Sequence, residues 1–580
     1  MKDKDGSRQF WLICCLAAAL QARLATTDLY TAQWNEAGAR WDVAAVAVAA
    51  ALFALFALAS VAARDRYIDT PQAEGSWWPL LLVLILATIL RVYRLNGMPP
   101  GFFQDEAING RDALALGDAQ EWQFWSASIS GRPTLFLYGL LATVRLGGNS
   151  YLALKILPVT IGVATVATTY CLGRLLFGRQ VGVWAALLLA CSRWHIHYSR
   201  MAWEAICAPL FATGGLALLV YAVRQGGYRW FAAAGIVSAL GLYTYAGYRA
   251  VPLVAAMYAV LVVWQQRDAA LVRGLGVATA AFAAIGAPLA IFAWLHPELF
   301  WERYREVSLA NATGSDPTYL LHQLGKSILS FHHRGDALVR HNLPFAAHLD
   351  VITGTLMLIG AAASLAWRAR LDAALLWLWL AVLVALSSAT REAPHATRLL
   401  AAAPAAALFA GLGAAVLVQR LTARLRVRAL RLALVAAVAV AIAGLNAHGY
   451  FVRHANDPNI DMYFNVLARK LCEEARARRD ATVFWTEDLD YWASAQCKYL
   501  ARDTRLALFP ITVEQLLAGP PEVDPPILIA VGLSAIRDSG GRIKVGSDGL
   551  PSLPMPVAPE LIRDRNNKLY YIYRIEPDAH

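Results

Sequence analysis

The sequence predicts an all-α polytopic membrane protein of about thirteen transmembrane helices, with a small C-terminal α/β domain. Composition is the first reason. Of the 580 residues, 58% are hydrophobic and 16% charged, with mean hydropathy +0.44, whereas soluble domains carry about 25% charged residues. Second, apolar runs long enough for the ~30 Å hydrocarbon core of a bilayer recur up to residue 447. Third, the formal charge of +11 is unevenly spread: residues 449–580 hold 16 Lys/Arg against 18 Asp/Glu. The basic surplus therefore lies in the apolar part, mostly in short loops. That is a topology signal and not a nucleic-acid patch.

Residues 10–26 follow Lys2, Lys4 and Arg8. A cleaved signal peptide and a retained signal-anchor both fit this start, and the anchor is the expectation. Further spans are predicted near 43–63, 77–95, 151–172, 180–192, 204–223, 229–245, 250–265, 271–294, 350–367, 372–388, 397–419 and 430–447. With a cytoplasmic N-terminus, the inner loops carry Arg64 and Arg66, Arg174 and Arg179, Arg224 and Arg229, Arg267 and Arg273, and Arg368 and Arg370. The last inner loop holds Arg420, Arg424, Arg426, Arg428 and Arg431. Every short inner loop is then basic, as the positive-inside rule requires.

This orientation divides the chain into two N-terminal helices (1–76), a core (77–447) with long outer loops at 96–150 and 295–349, and an extracytoplasmic tail (448–580). In the tail, 481–485, 527–531 and 568–575 read as strands between helical or Pro-rich stretches. Cys472 and Cys497 stand apart there and can form one disulfide if the tail is outside. The other five cysteines lie in apolar runs and read as small core residues.

Four outer segments and one turn hold the residues that could do chemistry. After the span at 77–95, the prolines and glycines at 97–101 turn the chain into a predicted amphipathic helix on the membrane surface. Asp105, Asn109 and Asp112 run along its polar face. Asp105 and Glu106 are adjacent carboxylates: helix-capping groups on one reading, a general base or metal ligand on the other. His195 and His197 are two apart, so an extended loop could offer both to a metal. Tyr198 and Arg200 follow, and Arg200 and Glu204 have the spacing of a helical pair. Tyr245 and Tyr248 could be interfacial belt residues. Arg249 lies at the outer edge, against the charge rule, and calls for an anionic partner. Arg398, just after His395, opens a helix where the dipole disfavours a cation; it snorkels or holds an anion. The loop 295–349 contains His332, His333 and Arg334 with no assignable role, and an Asn311 glycosylation sequon read as chance.

Pro99-Pro100-Gly101-Phe102-Phe103-Gln104-Asp105-Glu106-Ala107-Ile108-Asn109-Gly110, directly after a span, closely resembles the first outer loop of the GT-C glycosyltransferases. The nearest members are the bacterial enzymes of glycosyltransferase family 39, akin to protein O-mannosyltransferases and the lipid A aminoarabinose transferase. His195 with Tyr198-Ser199-Arg200, Tyr243 to Arg249, and Pro394 to Arg398 resemble further motifs of the group, in its order. The resemblance covers about 77–420, from its first span to the end of the 397–419 span.

The resemblance implies sugar transfer from a polyprenyl-phosphate donor to an acceptor (protein, lipid or cell-envelope glycan) on the outer face of a bacterial inner membrane. Asp105 matches the family's catalytic acid, and Arg249 and Arg398 would hold the donor phosphate. Glu106 is carried as a second catalytic candidate. His195, His197, Tyr198, Arg200, Tyr245, Tyr248 and His395 are carried as substrate-binding candidates. Metal-using relatives carry Asp-x-Asp where this chain has Asp-Glu, so no metal ligand is assigned and none is counted on, with a divalent metal left as the alternative. The rival expectation is a transporter or flippase of lipid-linked sugars, which predicts charges deep within spans and inverted halves.

Overall fold

The computed structural model describes residues 14–19, 21, 77–129, 131–308, 317–365, 370–423 and 427–478. In the tail it describes 482–486, 490–500, 502, 507–519, 526–532, 536, 539, 541–545, 550–563 and 569–576. The expected span at 43–63, most of that at 10–26, and Asn311 lie outside the described residues.

From residue 77 onward every expected span is a helix. These are α1 (Trp78–Val92), α4 (Tyr151–Phe177), α5 (Arg179–Cys191), α7 (Cys207–Gln225), α8 (Tyr228–Gly241), α9 (Val251–Gln266), α10 (Ala269–Leu295), α12 (Val351–Leu365), α13 (Arg370–Ser388), α14 (Ala403–Ala423) and α15 (Arg428–His448). Among the described residues, 7 helical segments are long and apolar enough to cross a membrane. Between the spans lie α2 (Gln104–Asp118), α3 (Leu135–Gly147), α6 (Arg193–Tyr198) and α11 (Pro317–Leu329). Helix α3 falls inside a stretch expected to be loop. It has 13 residues, as many as α5, and Phe136, Leu137, Leu140, Leu141 and Val144 make one apolar stripe that it buries.

Burial separates the centre of the bundle from its rim. Within the most apolar 18-residue window, 89% of residues are buried in Leu400–Leu421 but 6% in Ala269–Leu295. Helix α14 reaches the centre because it is rich in small residues. A Cβ on Gly360 of α12 would lie 1.7 Å from the Phe409 carbonyl oxygen, and one on Gly413 would lie 2.0 Å from that of Leu356. Only glycine allows such backbone contact between apolar helices.

The tail folds as expected around three of its strands and adds two. The strands β1 (Thr482–Trp485), β2 (Ala507–Pro510), β3 (Ile527–Gly532), β4 (Glu560–Arg563) and β5 (Leu569–Ile575) form one sheet of order β2-β1-β3-β5-β4. β2, β1 and β3 are mutually parallel, while β5 is antiparallel to both β3 and β4. Alternation along β3 fills both faces: Ile527, Ile529 and Val531 enter one apolar cluster, Leu528 and Ala530 the other.

The tail docks directly on α2. The Phe102 N–H donates to the Phe464 carbonyl at 2.6 Å, and a Cβ on Gly101 would lie 1.9 Å from that same oxygen. Arg469 donates to the Asn96 carbonyl at 2.9 Å and to its side chain at 2.6 Å. Helix α2 is therefore sandwiched between bundle and tail, not laid on a free surface as its sequence pattern implies. Its buried residues include Glu106, Asn109 and Asp112 as well as Ile108 and Leu116.

Cys472 and Cys497 form a disulfide joining helices Val466–Ala477 and Asp490–Leu500. Across a 25-residue separation, closing the loop is worth about 3 kcal/mol. Cys472→Ser is expected to lower the tail's stability by about that amount in denaturant titrations. A non-reducing peptide map showing two free thiols instead would exclude the bond.

Candidate active site

Asp105 sits in the first turn of α2, where the helix dipole favours an anion. It is half-buried and accepts no hydrogen bond from any described residue. Burial raises its pKa from 3.8 to about 6, and the charge of Glu204 adds to the rise; Arg340, Arg132 and Arg303 pull the other way. Three cations converging from distant parts of the chain do not outweigh desolvation.

Glu106 points elsewhere. It is fully buried, where it accepts hydrogen bonds from the Lys155 ammonium on α4 and from the Ala202 N–H at 2.5 Å. This pair fastens α2 to the bundle through a charge-assisted bond. The polar face of α2 is also occupied. Asn109 Nδ2 donates to the Ala202 carbonyl at 2.7 Å and to Glu204 Oε2 at 3.3 Å. Arg132 donates to Asn109 Oδ1 and to Asp112 Oδ2, the latter at 2.6 Å, and lies 4.0 Å from Glu204. Thus a fixed guanidinium already neutralises the carboxylates beneath Asp105.

The turn 193–204 divides its residues between roles that spacing could not separate. Helix α6 ends at Tyr198, so Arg200 and Glu204 do not share a helix and the expected pair does not form. Arg200 instead donates to the carbonyls of Met98 at 3.0 and 2.8 Å, Arg91 at 2.7 Å and Leu90 at 3.2 Å, capping the end of α1. His195 Nδ1 lies 2.7 Å from Arg91 Nη2, while His197 Nε2 lies 2.8 Å from the Arg340 carbonyl. The two imidazoles thus have separate partners and do not converge as metal ligands. The Tyr198 hydroxyl bonds Thr397 at 2.7 Å. These contacts bring the loops at 96–102, 193–204, 336–348 and 394–398 to one end of the bundle.

Arg398 bonds Thr390 at 2.7 Å and lies 3.6 Å from Glu392. The Tyr245 phenol is pushed up to about 12 by burial, with Glu204 adding and Arg398 and Arg303 opposing. Tyr245, Arg398, Arg303, Glu204 and Asp105 therefore share one electrostatic environment. Tyr248 is fully buried against Phe211, 6.3 Å between ring centroids. The Arg249 guanidinium lies 3.9 Å from the Phe300 ring centroid and 5.7 Å from that of Trp301, in a cation–π seat. Its buried Nε has no hydrogen-bond partner among the described residues.

His395 lies against His341, with ring centroids 4.5 Å apart, and His341 Nδ1 is 2.7 Å from Asp336 Oδ2. Burial holds both imidazoles below their ordinary range, partly offset at His341 by Asp336.

Sequence reasoning missed Arg132, Lys155, Asp336, Arg340 and His341 as site residues. Their one local signal was charge beside or inside apolar segments, which for Lys155, in the second turn of a span, was strong.

A family model described as dolichyl-phosphate-mannose-protein mannosyltransferase matches residues 131–293, which include Arg132, Lys155, the 193–204 turn and Arg249. Among curated proteins, none matches the sequence. The fold is similar to the crystal structure of ArnT from Cupriavidus metallidurans bound to undecaprenyl phosphate, with TM-score 0.53 and 11% identity over 86% of this chain and 98% of that one. The Archaeoglobus fulgidus oligosaccharyltransferase in its apo form aligns with TM-score 0.47 and 14% identity over 75% of this chain and 64% of that one. Residues 131–293 thus match a mannosyltransferase family model, and the multi-helical core with its β-sheet tail has the fold of the GT-C membrane glycosyltransferases.

Proposed function

We propose that the protein transfers a sugar from a polyprenyl-phosphate donor to an acceptor hydroxyl on the extracytoplasmic face, with inversion and with Asp105 as general base. The observation that carries this reading is Asp105 itself. It is a half-buried carboxylate with no hydrogen-bond partner among the described residues, its pKa raised to about 6, surrounded by Arg132, Arg303 and Arg340. Every other acidic group on α2 is engaged or lies toward the helix end. The family description names a dolichyl-phosphate donor, and the ArnT relative is bound to undecaprenyl phosphate; both support a polyprenyl-phosphate donor here.

In the proposed step the acceptor oxygen attacks the anomeric carbon and its proton passes to Asp105. The bond from that carbon to the phosphate oxygen breaks, and the electron pair leaves with polyprenyl phosphate. Arg398, with Arg303 and Arg340, takes the charge developing on that phosphate. Arg249, seated on Phe300, is close to the membrane and suits the lipid side of the donor. Glu106 becomes a positioning residue that holds α2 in place. Arg132, tied to Asp112 and Asn109, keeps a fixed cation near Asp105. The disulfide, stable in oxidising compartments, supports an outer location for the tail and for the α2 end it covers. The basic loops then face the cytoplasm.

Purified protein incubated with a radiolabelled polyprenyl-phosphate sugar and membrane acceptor should release free polyprenyl phosphate. A flippase would move the intact donor and release none, and that result would overturn the reading. Arg398→Gln is expected to lower transfer about 10- to 100-fold, the value of a charge-assisted contact to phosphate.

A further inference from the structure

We infer that Asp336, His341 and His395 form a binding site for a divalent transition-metal ion, zinc being the ion that suits the donor set. The three side chains each offer one ligand atom, and these atoms all lie within 4.8 Å of one another. Their exposures are 4%, 2% and 9%. Two imidazoles and one carboxylate are a borderline nitrogen–oxygen set, which zinc accepts with a fourth position left over.

Ordinary packing accounts for part of this cluster. Asp336 and His341 make a good hydrogen bond at 2.7 Å as they stand. His395 is the residue that packing leaves unexplained. Its buried Nδ1 has no hydrogen-bond partner among the described residues, a vacancy that costs about 1–3 kcal/mol. The neighbouring ring at 4.5 Å is another imidazole, which adds no acidic partner. A metal ion shared by the three would satisfy that nitrogen. With metal–ligand bonds of about 2.0–2.1 Å, tetrahedral ligands stand about 3.3 Å apart. The Asp336–His341 contact would open by roughly half an ångström, which a rotation of either side chain supplies.

The surroundings fit a ligand shell. Asp336 is fixed by the Leu338 N–H at 2.9 Å and the Ala396 N–H at 3.1 Å, so its carboxylate is oriented by backbone. Glu392 lies 3.8 Å from His395 Nε2, the ring nitrogen turned away from the ion, where a carboxylate can orient the imidazole; water would fill the fourth position. Asp336 and His341 belong to the loop between α11 and α12, and His395 to the segment between α13 and α14. The ion would clip these two segments together. Arg340 is adjacent to one ligand and Arg398 three residues beyond another, so the clip would fix the arginine that acts on Asp105 relative to the one that acts on Tyr245. The site is separate from Asp105, and its ligands play no part in the proposed proton transfer.

The test is metal content of the full-length protein in detergent, purified without chelator and read by mass spectrometry. About one zinc per chain is expected, removable by chelator and restored by added Zn²⁺. Cobalt substitution should give the visible absorption of a tetrahedral site. His395→Ala, checked for monodispersity, is expected to bind at least about 100-fold more weakly. His395→Cys should retain the ion and add a thiolate-to-cobalt charge-transfer band. Wild type that takes up no zinc from a 10-fold excess overturns the proposal, as does undiminished binding in His395→Ala. Glycosyl transfer that persists in a zinc-free protein leaves the transferase reading standing, and loss of transfer with full zinc binding leaves this one standing.

Discussion

Asp105→Asn is expected to reduce glycosyl transfer by about 10²- to 10⁴-fold, the usual worth of general-base help, while the protein still inserts and folds. The side chain accepts no hydrogen bond from a described residue, so no partner is stranded by the change. Its folded-state pKa is raised, which means that its ionised form costs stability at any pH above its unfolded value. Asn removes that cost, and the melting temperature should stay level or rise slightly. The same shift sets a pH profile for the wild type. A base works only when deprotonated, so transfer should be half-maximal near pH 6, fall about tenfold per unit well below it, and level off above pH 7. Initial rates at saturating donor, measured from pH 4.5 to 8, decide the matter. A wild-type rate that is flat from pH 5 to 7, or an Asn variant of full activity, would falsify the assignment.

Lys155→Met should be the most destabilising single change near the site. It strips the cation from Glu106, a carboxylate with 0% exposure, and leaves it only the Ala202 N–H. Removing one partner of a buried ion pair costs about 3–5 kcal/mol, because the remaining charge stays out of water. That is a large part of the 5–15 kcal/mol that holds an ordinary protein folded. A sharp drop in melting temperature and in membrane yield is expected. The double variant Glu106→Gln with Lys155→Met removes both charges and should recover most of the loss. Thermal melts of wild type, both single variants and the double variant form a cycle that isolates the pair. A Lys155→Met melt within a degree of wild type would remove Glu106 from its positioning role.

These two predictions separate neighbours that the sequence presents as equals. Asp105 and Glu106 are adjacent carboxylates in one motif, and successive helical residues point about 100° apart. Which of them faces the bundle depends on Lys155, 49 residues away, and on Ala202, 96 residues away. Helical periodicity did mark Asn109 and Asp112 as companions of Asp105 on one face. It could not say that this face would be covered. Arg132 reaches it from 23 residues on, in a two-residue strand too short to show a period. The tail then closes over the helix through Phe464 and Arg469. The 193–204 turn failed in the opposite sense. Four-residue spacing paired Arg200 with Glu204, but the helix breaks between them, so the spacing had no helix to act on.

By itself the sequence determined the helical spans from residue 77 onward, the basic loops, three strands of the tail and the motif carrying Asp105. These follow from local regularities: the length of an apolar run, its period, and the charge at its ends. Only the tertiary structure decided which cations face Asp105, which carboxylate is structural, and that Asp336, His341 and His395 meet. Those outcomes join positions such as His197 and Arg340, 143 residues apart, and are set by how closely packed helices with glycine contacts converge at one end. Such convergence is a property of the whole bundle, and no window of sequence contains it.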